Sequence, residues 1–278
     1  AELNPDDTAL DLSGWVTLTN KSGATYKNAL LQLVAGDVNR VRDEMRFRGS
    51  AVMAADMVQE AAPKMSQESL FEYHLYTMQR ATTIKDNQTK QVALLNASGV
   101  KVNKEFRLQG NPYYYRGQHG DLGQKLKVGV FVEFDNRKQD NLGLPLPKGV
   151  VRVYKQDKEE RPQFIGEDRI DHTPENETVR LKLGDAFDVT ASRKQTDFRK
   201  LGGDSRFNYR FESAYEITLK NAKDEEVTVA VAEPVPGDWQ ILRESHKHSK
   251  PAADTALWAI KVPAKGEAVL TYRVEVRY

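Results

Sequence analysis

The stretch "ESHKHSK", Glu244 to Lys250, places His246 and His248 two residues apart, with Glu244 two before the first. Side chains two apart on an extended strand share a face, so this spacing could aim two imidazoles and a carboxylate at one metal ion. Lys247 and Lys250 oppose a cation there, Pro251 follows, and no further ligand lies nearby. The reading is a solvated loop at a strand end, with no metal. A second stretch, "GEDRIDHTPENE", supplies Glu167, Asp168, Asp171, His172, Glu175 and Glu177. Paired carboxylates could serve glycoside hydrolysis or hold calcium. The spacing is not that of a calcium-binding loop, Arg169 interrupts it, and a polar hairpin tip has the same composition. A third, "NPYYYRGQHG", sets Tyr113, Tyr114, Tyr115 and Arg116 in a row. Flat rings beside a guanidinium suit a sugar or a peptide, so these four are the candidate ligand-binding residues. Alternation along a strand would turn at least one of the tyrosines inward. Trp15, Trp239 and Trp258 sit in strand contexts, where core packing is expected.

The chain of 278 residues has 41 Lys and Arg against 40 Asp and Glu, a formal charge of +1. Such a balance lacks the basic excess of a phosphate-neutralising protein, so no nucleic-acid partner is expected. The densest basic cluster, Arg193, Lys194, Arg199 and Lys200, reads as the solvated face of a strand. Mean hydropathy is -0.64 and no apolar run is long enough to span a bilayer. Cysteine is absent, which excludes thiolate nucleophiles, disulfides and cysteine-held metals, and leaves the compartment open. There is no Gly-rich phosphate loop, nucleophile elbow or HExxH motif, and no cofactor is expected. The chain starts at Ala1 without a signal peptide, as a processed or trimmed piece would.

The elements that must position these residues are strands. Val128, Val130, Val132 and Phe134 alternate with Lys127, Glu133 and Asp135, and similar alternation runs from Val100 to Leu108 and from Ala268 to Val276. A strand–Asn–strand plan recurs at Asn20, Asn136 and Asn221, Asn being suited to left-handed turns. The pattern predicts an all-β protein of two antiparallel sandwich-like units, of immunoglobulin or fibronectin type. The expected division is 1–125 and 126–278; the first unit is short of strands for a closed sandwich, so it is expected to need residues upstream of Ala1 or to dock on the second unit. One Ala- and Met-rich excursion, Gly49 to Leu70, is expected to be partly helical or mobile.

Three stretches carry a family likeness: "DLSGWVTLTNKSGATYKNALLQLVAGDVNRV", "LFEYHLYTMQRATTIKDNQTKQVALL" and "LGLPLPKGVVRVYKQD". The chain resembles the bacterial domain of unknown function that forms the C-terminal part of mucoidy-inhibitor-A-like proteins. The resemblance implies a periplasmic or extracellular bacterial protein and transfers no catalytic residue. The expected function is a non-catalytic extracytoplasmic module for protein or glycan binding or envelope structure. The alternative is a hydrolase using loop carboxylates and histidine of the second unit.

Overall fold

The structure is a computed structural model that describes residues 1–36, 65–202 and 207–278. Nearly all of it is β, with helical geometry confined to single 3-10 turns at Pro112–Tyr115 and Lys138–Asp140. The architecture is sandwich-like, as the alternation predicts. Most of the Ala- and Met-rich excursion lies outside the described residues. Its last part is not helical, because Met65–Leu70 is a strand.

The chain forms two compact units, each built from two stretches: 1–102 with 134–181, and 103–133 with 182–278. A single division after residue 125 is thus replaced by three crossings of the chain. The first unit contains β1 (Glu2–Leu3), β2 (Ala9–Thr19), β8 (Thr89–Lys101), β11 (Gly149–Gln156) and β12 (Pro162–Ile170), which form one sheet in the order β12-β11-β1-β2-β8. Smaller sheets pair β3 (Tyr26–Ala29) with β7 (Thr82–Ile84), and place β6 (Tyr73–Met78) between β4 (Gln32–Ala35) and β5 (Met65–Leu70).

The second unit is one nine-stranded sheet. Its strands are β9 (Asn103–Gln109), β10 (Asp121–Asp135), β13 (Thr178–Leu201), β14 (Arg210–Asn221), β15 (Val227–Pro234), β16 (Asp238–Glu244), β17 (Ser249–Ala252), β18 (Thr255–Val262) and β19 (Gly266–Arg277). The order is β16-β19-β14-β13-β10-β9-β15-β18-β17. The sheet folds over itself: Trp258 of β18 stacks on Tyr272 of β19 with ring centroids 4.7 Å apart, although six positions separate these strands in the sheet. The apolar faces of both halves make one core, in which Ile217, Leu219, Val229, Val231, Ile260 and Val274 are fully enclosed. Pro251 lies on β17, the outermost strand, where a missing donor is tolerated. The "SKPA" segment is therefore a strand, against the irregular loop expected from its composition.

Strand β10 has the expected alternation. Val128, Val132 and Phe134 are buried, Val130 is partly buried against the core, and Lys127 is exposed. Through Glu133 the strand belongs to the second unit, and Phe134 and Asp135 belong to the first.

The three asparagines do one job three times. Each lies at or just beyond the end of a strand, and its Nδ2 donates to a carbonyl in its own loop and to two consecutive carbonyls at the start of a distant turn. Asn20 reaches Ala24 at 2.7 Å, Ile84 at 3.3 Å and Lys85 at 3.0 Å. Asn136 reaches Leu144 at 2.7 Å, Thr173 at 3.5 Å and Pro174 at 2.8 Å. Asn221 reaches Glu225 at 2.8 Å, Val262 at 3.3 Å and Pro263 at 3.1 Å. Each Oδ1 accepts a main-chain amide of its own loop: Ser22, Gly143 and Lys223 respectively. Each distant turn then passes through a left-handed residue, Asn87, Asn176 or Lys265, before β8, β13 or β19 begins. The primary amide is needed because it offers donors and an acceptor at once.

Candidate functional site

Asn111 and Pro112 start the 3-10 turn that carries the tyrosine run. Asn111 Oδ1 accepts the Tyr113 amide at 3.2 Å, and proline supplies the required backbone angle. The turn replaces the strand alternation expected here and turns two tyrosines inward. Tyr114 and Tyr115 are buried, while Tyr113 is half-exposed and Arg116 exposed. Only Tyr113 and Arg116 of the four candidates thus offer faces to a ligand.

Beneath the turn lies a buried polar network that sequence reasoning missed. Arg193, assigned from composition to a solvated face, is 2% exposed and pairs through Nη2 with Glu233, which is fully buried. Tyr115 donates to the other Glu233 oxygen at 2.8 Å, and Tyr272 meets the Tyr115 hydroxyl at 2.9 Å. Because the Tyr115 proton is committed to the carboxylate, Tyr272 is the donor in that second bond. The guanidinium lies 4.9 Å from the Tyr114 ring centre, and its Nη1 donates to the Tyr114 hydroxyl at 3.3 Å. The turn's main chain is tied down as well. Tyr215 donates to the Tyr114 carbonyl at 2.7 Å, and Gln195 donates to the Gly117 carbonyl at 3.1 Å and accepts the His119 amide.

Burial pushes the Tyr115 and Tyr272 hydroxyls well above the usual phenol range, and Tyr215 to about 12. They are therefore neutral donors at physiological pH. Burial also raises the Glu233 carboxyl, with Arg193 and Tyr115 pulling against it. Burial opposes the Arg193 charge too, but Glu233 and the tyrosines outweigh it, so Arg193 stays protonated. The donors converge on an ionised carboxylate, and the ion pair is the form this geometry fits. Gly110 closes the arrangement: an ideal Cβ there would stand 2.2 Å from Glu233 Oε2. The network supports the turn and is enclosed by the core.

Above it, an aromatic surface extends from the turn. His119 packs edge-on to Tyr113 at 5.5 Å between centroids, and Arg116 lies 5.7 Å from the Tyr278 ring centre. Tyr278 meets Phe211 edge-on, and Phe211 stacks on Phe198. Tyr209, 53% exposed, is bonded through its main chain to Tyr278 and carries Lys200 over its ring at 5.6 Å.

The histidine pair is part solvated turn and part structural clasp. His246 is exposed and its ring pairs with Ser245. His248 is half-buried between Trp239 and Trp258, with centroids 5.8 Å away on each side. Its Nδ1 meets Glu244 Oε2 at 2.8 Å, and Trp258 donates to the same oxygen at 2.9 Å. Glu244 thus serves as an anchor for a core tryptophan. Among the described residues no group of three His, Asp or Glu could hold a metal ion. The carboxylates of the 167–177 stretch belong to the first unit, where Glu167 pairs with Arg152 and Glu175 with Lys138. His119, His246 and His248 belong to the second. Trp239 and Trp258 are buried as expected, but Trp15 is 42% exposed.

Among the described residues no helix is long and apolar enough to cross a membrane. No curated protein and no solved structure matches the chain. A family profile described as a domain of unknown function, DUF4139, matches residues 1–278, and the chain belongs to that family.

Proposed function

We propose that this chain is a non-catalytic extracytoplasmic binding module that engages a protein or glycan partner through the aromatic surface around Tyr113 and Arg116. The observation that carries this reading is the division of labour in the tyrosine turn. Two rings are spent on a buried network that holds the main chain, the third is left half-exposed, and the exposed Arg116 that ends the turn lies over the Tyr278 ring. Exposed aromatic and arginine side chains on a supported turn are the common composition of binding hot spots. The extracytoplasmic assignment is supported by the resemblance in the sequence.

The test is binding of the intact chain to immobilised bacterial envelope polysaccharide and envelope protein fractions. Tyr113→Ala and Arg116→Ala should each weaken binding to the fraction that is recognised by about tenfold or more, a hot-spot effect. Both side chains are solvated enough that thermal stability should stay within about 1 kcal/mol of the parent. Unchanged binding in both variants would refute the assignment.

A further inference from the structure

The sheet of the first unit has a central strand of two residues. β1 pairs in parallel with β11 (Glu2 with Tyr154, Leu3 with Lys155) and antiparallel with β2 (Glu2 with Asp11, Leu3 with Leu10). Its neighbours run on far past it. β2 continues to Thr19, and β11 begins back at Gly149. Among the described residues, no other strand pairs with those two edges, since β2 is otherwise paired only with β8 and β11 only with β12.

Between the edges lies a groove of about 480 Å³, lined on one side by Leu12 to Thr17 and on the other by Gly149 to Arg152, with Ala1 at its end. Ala1 is already on the ladder: its amino group donates to the Arg152 carbonyl at 2.6 Å, and its carbonyl accepts the Tyr154 amide at 2.9 Å. Sheet edges with unmet main-chain groups recruit extended polypeptide, and a slot open on both sides can satisfy both faces of one strand.

We propose that this slot seats an extended segment of polypeptide leading into Ala1, which lengthens β1 and completes the five-stranded sheet. The existing ladders dictate its direction, parallel to β11 and antiparallel to β2, and its register. Leu3 is buried and Glu2 exposed, so the second and fourth residues ahead of Ala1 face the core with Leu3. The second would lie between Val151 and Gly14, where the Leu95 side chain, packed over the glycine where a Cβ would stand, adds to the apolar lining. The first and third would face outward, beside Arg152 and Trp15. This accounts for a tryptophan left 42% exposed on a strand of the sheet. A segment of about five residues spans the groove at the rise of a strand.

The test compares the 278-residue chain with the same chain carrying a six-residue amino-terminal extension, apolar at the second and fourth positions ahead of Ala1. A third form has proline at the second position, and a fourth experiment adds the six-residue peptide as a separate molecule. Hydrogen exchange is followed in peptides covering residues 12–17 and 149–153. The covalent extension should slow exchange in both segments by about tenfold or more, and proline should abolish the effect. Equal exchange with and without the extension, or equal protection by the proline form, would overturn the proposal. Protection by the separate peptide but not by the covalent extension would overturn it too, in favour of a strand from another molecule.

Discussion

Arg193→Met should destabilise the second unit by about 3–5 kcal/mol, the usual consequence of removing one member of a buried ion pair. The side chain is 2% exposed, its partner Glu233 is fully enclosed, and the carboxylate packs against Gly110 where a Cβ would stand. Without the guanidinium, Glu233 keeps the Tyr115 hydroxyl, and its pKa, already raised by burial, rises further. A carboxyl whose folded pKa exceeds its unfolded value contributes stability that is complete at low pH and lost as pH rises through the folded value. The cost of Arg193→Met should therefore grow as pH rises above the ordinary carboxylate range. Glu233→Leu alone should also cost about 3–5 kcal/mol, because it leaves the guanidinium uncompensated. The double variant Arg193→Met/Glu233→Leu should be more stable than either single one, since Tyr115 and Tyr272 still bond each other. Urea unfolding in a Trp15→Phe background isolates the second unit, because Trp239 and Trp258 then report alone. Single costs that simply add in the double variant, or a cost of Arg193→Met that does not change with pH, would refute the ion-pair reasoning.

Two further outcomes are expected. Val132→Asp should unfold the second unit in a melting experiment, since it forgoes about 1.5–3 kcal/mol of burial and encloses a charge at a site 1% exposed. Lys127→Asp, exposed and paired only with Asp185 at 3.5 Å among the ion pairs described, should cost within about 1 kcal/mol; similar melting temperatures for the two would show the face to be misassigned. Asn136→Asp should be more destabilising than Asn136→Ala in the same melt, because a carboxylate would confront the Leu144, Thr173 and Pro174 carbonyls, and the reverse order would contradict the shared asparagine clasp.

Much of this architecture was legible in the residues alone. Period-two alternation identified the strands and the inward face of β10, because a buried face must be apolar at every second position. The three asparagines were visible as a repeated plan, although the distant turns they clasp were not. The polar network had a local sign that was overlooked: Val189, Ala191, Arg193 and Gln195 share one strand face, as do Val227, Val229, Val231 and Glu233. Alternation assigns a face but never names the strand lying opposite, so the arginine read as solvated and the glutamate passed unnoticed. Only the folded sheet brings β13 over β15, through a parallel pairing of β9 with β15 and the closure of β18 against β19. Main-chain ladders carry no residue code, which is also why two units interleaved from four stretches, and a sheet with an open central slot, could be seen only in three dimensions.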